Sequence, residues 1–168
     1  MAAVAGAARR ERSAATLVAL AVPGIAIAVY LTAVHYAAVA PVCAATGSVI
    51  DCGAVTRSAW SVVPGTSVPV TVPGLLWFVV SGGLAVVALR AAHLGAGEPS
   101  WLRTAQVAWA GVGVVAVLYF VYAELVALHR ICEWCTAVHL LVLASFLVAL
   151  VRVLPAGEDV EGEAPEGA

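Results

Sequence analysis

The stretch HRICEWCTAVHLLVLASF, residues 129 to 146, carries a Cys-x-x-Cys pair straight into a strongly apolar segment. Such pairs usually serve redox or metal chemistry on water-soluble domains, so the nature of the apolar segment decides what kind of protein this is. From Trp134 or Cys135 to Arg152 it has no acid and no arginine until its end. That is short for a membrane span but within the range of about 17–25 residues that cross a hydrocarbon core of about 30 Å.

Three further segments meet the same criterion. One runs from about Ala14 to Val39, and neither an acid nor an arginine occurs between Arg12 and Asp51. A second starts near Pro73, a residue suited to the first turn of a helix, and ends close to Arg90. A third extends from about Thr104 to Leu125, where Gly111 and Gly113 let a neighbouring helix approach. The RRERSAATLVALAV opening resembles a signal peptide, with Ala38-Val39-Ala40 as a cleavage site. Its apolar stretch, however, exceeds the about 7–15 residues of a signal core, so it is expected to stay as the first span.

Composition agrees with a membrane protein. The chain is 63% hydrophobic and 11% charged, with a mean hydropathy of +1.04. Soluble domains carry about 25% charged residues, and 11% leaves too little polar surface to coat a globule in water. There is no lysine, and nothing suggests nucleic-acid binding, since there is no basic stripe and no aromatic set interleaved with arginines. Five of the ten acids fall in the last eleven residues, a Gly/Pro/Glu segment without apolar periodicity that is expected to be a disordered tail.

Arginine placement sets the expected orientation. With a cytoplasmic N-terminus, Arg9, Arg10, Arg12, Arg90, Arg103 and Arg152 lie inside and only Arg57 and Arg130 outside. The same topology puts Cys43 and Cys52 in the long outer loop, and Cys132 and Cys135 at the outer end of the fourth span. All four cysteines then face the compartment in which disulfides persist. Four cysteines allow three pairings, with adjacent pairing the simplest and exchange between pairs open. At a helix start, a thiolate is favoured by unpaired N–H groups, which promotes disulfide exchange. Placement at bilayer depth adds access to lipid-soluble electron acceptors, the quinones. Zinc is disfavoured because eight residues separate Cys43 from Cys52, unlike a zinc knuckle. Two structural disulfides are the plainer alternative.

The chain resembles the vitamin K epoxide reductase family, in its bacterial branch, over most of residues 14 to 152. The resemblance rests on the loop pair in CAATGSVIDCGAVTRSAW, the following PGTSVPVTVPGLLWF, and CEWC opening the last span. It implies an all-α membrane protein, a four-transmembrane-helix bundle with a long outer loop (about 40–72) between helices 1 and 2. A cytoplasmic N-terminus (1–13) and acidic cytoplasmic tail (154–168) would flank the catalytic domain at 14–153 in the plasma membrane.

The implied activity is that of a quinone-dependent thiol–disulfide oxidoreductase. A reduced thioredoxin-like partner, acting in trans, would attack the Cys43–Cys52 disulfide at Cys43. Cys52 would then attack Cys132 and free Cys135, which delivers electrons to menaquinone or ubiquinone. The glycines at 47, 53 and 65 give the loop the freedom this requires. Ser58, six residues after Cys52, stands where the family has a serine beside the quinone; a loop cap is the alternative. Trp60 is expected at headgroup depth on a short interfacial helix, VTRSAWSVV, that lids the pocket or anchors it. His139, one helical turn after Cys135, replaces the tyrosine of animal members and can donate to a quinone oxygen or move a proton. Glu124, an acid near the end of span three, is either a proton-handling group or an interfacial residue. Asp51 and Glu133 read as thiol-tuning or solvated acids, and His35, Tyr36 and Trp134 as interfacial. The alternatives are a vitamin K quinone or epoxide reductase whose quinol is the product, and a membrane scaffold with structural disulfides.

Overall fold

The computed structural model describes residues 2–44, 47, 49–95 and 97–154. Among these residues the chain is all-α, with four long apolar helices. These are α1 (Ala2–Tyr36), α3 (Thr71–His93), α4 (Ser100–Tyr122) and α5 (Glu133–Val153), and a short α2 (Cys52–Thr56) lies in the loop after α1. All four long helices are of spanning length and hydropathy, and the protein is a multi-pass membrane protein.

The helix starts at Ala2, twelve residues before the expected start of the span, because the N-terminal residues are rich in alanine and continue the helix without a break. It ends at Tyr36, before Val39. There Ala38 takes a left-handed φ of 54°, its N–H bonding to His35 and that of Val39 to Val34. This is a Schellman stop with alanine where glycine is usual. The expected helix over residues 55–63 is split in two. Ser58 is extended (φ −73°, ψ 165°), ending α2 and capping a separate single turn at Ala59–Ser61. The acidic tail expected at 154–168 lies outside the described residues, apart from Leu154.

Small residues set the packing. Ala14, Leu17, Ala21, Ala28 and Leu31 form the buried stripe of α1, facing Phe78, Ala85 and Ala88 of α3. Gly24 lies against the Phe78 ring, and a Cβ at Gly82 would stand 3.2 Å from that of Ala21. This close approach replaces the hydrophobic drive that is missing between helices in lipid. α5 packs against both α1 and α4, and α4 also packs against α3, closing a four-helix ring.

The two ends of the bundle differ in chemistry. At one end Arg152 is buried, pairing with Glu98 at 2.6 Å and donating to Gln106 Oε1, Ser13 Oγ and the Arg10 carbonyl. His93 approaches Glu11 at 3.6 Å on the same side. The opposite end holds the ends of α1 and α4, the starts of α3 and α5, and all four cysteines.

Candidate active site

The two cysteine pairs are brought together by a short parallel bridge. Ile50 pairs with Ile131: the Asp51 N–H donates to the Ile131 carbonyl at 3.1 Å, and the Ile131 N–H to Val49 at 2.9 Å. One strand leads into Cys52 and the other into Cys132. Asp51 Oδ1 accepts the Ala54 N–H at 2.8 Å, so this acid starts α2 and fixes Cys52 at its first position. Cys52 and Cys132 are 2% and 0% exposed and share one cluster with Val55.

Cys43 is bonded to Cys52, with the Cα atoms 6.4 Å apart, and is itself half-buried. Both of its neighbours are gripped from α5. Trp134 Nε1 donates to the Val42 carbonyl at 2.7 Å, and Glu133 Oε2 accepts the Ala44 N–H at 2.9 Å. The Val42 N–H is bound by the Tyr30 hydroxyl at 2.9 Å, and the Tyr30 ring lies 5.1 Å from that of Trp134. The two middle residues of CEWC therefore clasp the loop that carries Cys43. Sequence alone suggested an interfacial ring for Trp134 and a thiol-tuning or solvated acid for Glu133, and neither reading foresaw this clasp.

Cys132 and Cys135 are free thiols. Cys132, the cap of α5, is held below the ordinary thiol range, first because the Cys135 thiol donates to it. The amides of Cys135 and Trp134 act the same way, against burial and the Glu124 charge. Cys135 lines a cavity of about 650 Å³. The walls are almost wholly apolar, but Glu124, His139, His35 and Trp60 also face it.

Trp77 and Trp109 form part of the cavity and lock α3 to α4. Each indole N–H donates to the other's backbone carbonyl, at 3.0 and 3.2 Å. Gly113 makes room for the Trp77 ring, which a Cβ there would meet at 2.6 Å. Residues 61–70 fold over the cavity, with Val63 bonded to Val68, Val70 to Ser61, and Gly65 turning at φ 76°. Trp60 packs against Tyr119 and Tyr122 at the end of α4, tilted to the first and edge-on to the second, 5.4 and 6.4 Å between centroids.

Of the residues singled out in the sequence, Cys135, His139 and Trp60 line the cavity, while Cys43, Cys52 and Cys132 lie behind its Cys135 side. Ser58 does not line it. Its Oγ donates to the Val55 carbonyl at 2.8 Å and accepts the Trp60 N–H at 3.2 Å, which is the cap alternative. A second cavity, about 20 Å³ beside Gln106, Ser81 and Ser145, is too small for an aromatic ring.

A loop disulfide packed on a buried dithiol, with one thiol on an apolar cavity inside a membrane bundle, defines an integral-membrane oxidoreductase. The model of the Vitamin K epoxide reductase family matches residues 15–150, and the chain belongs to that family. No curated protein matches it. The family uses quinone, and the cavity fits one. Its volume lies in the range of about 300–1,000 Å³ typical of small-molecule sites, with an apolar lining and few polar groups.

Proposed function

We propose that the protein is a thiol:quinone oxidoreductase that reoxidises a thioredoxin-like partner in trans and so supports disulfide formation outside the cytoplasm. The observation that carries this function is the graded burial of the four sulfurs. Cys43 is within reach of a partner, Cys52 and Cys132 are sealed together, and Cys135 opens on the cavity. A thiol arriving at Cys43 releases Cys52 beside Cys132. Exchange at Cys132 then moves the reducing equivalents to Cys135, away from water. A quinone in the cavity supplies the two-electron, two-proton acceptor. His139 lines the same cavity one turn from Cys135, which supports a role in holding a proton or donating to a ring oxygen there.

In this scheme a bonded Cys43–Cys52 pair beside free Cys132 and Cys135 thiols is the stage after internal transfer and before oxidation by quinone. Six of the eight arginines lie on the end opposite the cysteines, which supports a plasma-membrane orientation with both termini cytoplasmic and the cysteines outside.

The test is thiol mapping in nanodiscs. The reduced protein is mixed with a menaquinone or ubiquinone analogue, alkylated, and mapped by mass spectrometry. Quinone-dependent loss of free thiols at Cys132 and Cys135, abolished by Cys135→Ser, is expected. Thiols indifferent to quinone, or bridges resistant to mild reductant, would overturn the function in favour of structural disulfides.

A further inference from the structure

Among the described residues Glu124 is the one buried acid in the thiol-bearing half of the bundle, and nothing in the exchange described above uses it. The buried positions of α4 are Leu102, Gln106, Ala110, Gly113 and Val117, and Glu124 continues that stripe at 5% exposure. An acid at such depth is costly unless it is used or partnered. Among the described residues no arginine or histidine forms an ion pair with it.

The backbone holds it in place. Residues Ala123–Ala127 form a π-turn, with the Leu128 N–H bonded to the Ala123 carbonyl and the Arg130 N–H to the Glu124 carbonyl, both at 2.9 Å. Such turns often aim a side chain at a functional site. Here the carboxyl lines the large cavity, within hydrogen-bond reach of the Cys135 thiol and the Cys132 backbone N–H. The other titratable groups around it are Cys132, with His139 on α5, His35 on α1 and Tyr119 on its own helix, all three lining the same cavity. The Arg130 guanidinium is turned to the His129 carbonyl.

We propose that Glu124 is the catalytic base that takes the thiol proton of Cys135 and passes it into the cavity. This rests on the thiol:quinone function. Oxidation of the dithiol breaks two S–H bonds, forms the Cys132–Cys135 bond and sends two electrons to the quinone. The two protons must end on its two oxygens. That of Cys135 crosses to a Glu124 carboxyl oxygen and from there to the quinone. Once Glu124 has discharged it, the Cys132 proton follows along the hydrogen bond between the two sulfurs and leaves by the same carboxyl. Glu124 ends ionised, as it began.

The experiment follows anaerobic quinol formation by the reduced full-length protein in nanodiscs with a short-chain ubiquinone, from about pH 5 to about pH 8. The wild-type rate is expected to fall as pH falls and the carboxylate protonates. Glu124→Gln is expected to lower the rate about 100-fold or more and to abolish that acid limb. Glu124→Asp should keep the limb and recover the rate to within about tenfold of wild type. Reduction of the Cys43–Cys52 bridge by dithiothreitol, unchanged in both variants, reports an intact fold. A flat wild-type profile overturns the proposal even if Glu124→Gln does not fold. So does a Glu124→Gln rate within about threefold of wild type, or a slowed variant that retains the limb. A wild type that forms no quinol removes the proposed function first, and is distinguishable because no variant is needed to see it.

Discussion

Trp134 reaches across 92 residues of sequence to donate its indole N–H to the carbonyl of Val42, the residue before Cys43. One of the two residues between Cys132 and Cys135 thus holds the loop disulfide over Cys132. Trp134→Phe keeps a ring against Tyr30 but removes the donor, a net loss of about 1 kcal/mol. The Cys43 arm should open more often, so reduction of Cys43–Cys52 by dithiothreitol should accelerate about fivefold. Transfer from the loop pair to Cys132 should slow. Stopped-flow reduction with quenched thiol mapping measures both, and an unchanged bridge reactivity would show that Trp134 does not hold the arm.

Gly113 matters for the shape of the cavity. In Gly113→Ala the new methyl meets the Trp77 ring at 2.6 Å, and the ring can move only by giving up its paired bonds with Trp109. Overpacking of this kind costs about 1–3 kcal/mol. A lower thermal midpoint in detergent is expected, together with a raised KM for quinone at nearly unchanged reduction of the loop disulfide by dithiothreitol.

Removing Arg152 strands a buried carboxylate. Arg152→Ala leaves Glu98 without its cation and should destabilise the bundle by about 3–5 kcal/mol. Replacing both residues by methionine removes the stranded charge, and the double variant should be the more stable of the two. Thermal unfolding of the single and double variants decides this; equal losses in both would mean that the charge pair is not what matters there.

The Cys132 thiol gives a pH prediction. Its folded value lies below the ordinary thiol range, so its thiolate contributes stability that is fully present above the unfolded value and is lost as pH falls through the folded one. Cys135→Ala removes the first-named cause, the donated hydrogen bond, and should move the thiolate absorbance of Cys132 to higher pH. The difference spectrum against Cys132→Ser, with the loop disulfide intact, reads that shift directly. Coincident titrations would mean that the hydrogen bond from Cys135 does not set the value.

The four spans were legible because lipid demands long apolar runs, and the gathering of the cysteines at one end followed from counting those runs along the chain. Their edges were less so. Ala38 ends α1 through a left-handed turn that alanine does not advertise, and the extended Ser58 divides a segment whose composition suits one helix. The clasp made by Glu133 and Trp134 depends on pairings some 90 residues apart, beyond any local pattern. Glu124 left a fainter trace. Gln106 and Glu124 are eighteen residues apart, about five helical turns, so two polar residues share one face of an apolar span. That shared face is a signal that would have pointed Glu124 inward, although not toward which cysteine.

The buried cluster around Arg152 also bears on how the protein is made. Arg152 lies at the end of the last span, and its partners Arg10, Ser13, Glu98 and Gln106 belong to segments that leave the ribosome before it. Until the fourth helix is inserted, Glu98 lacks its cation and the N-terminal helix is not tied to the rest. A chain truncated before Arg152 would keep Glu98 unmatched and leave the N-terminal helix without its tie to the last span.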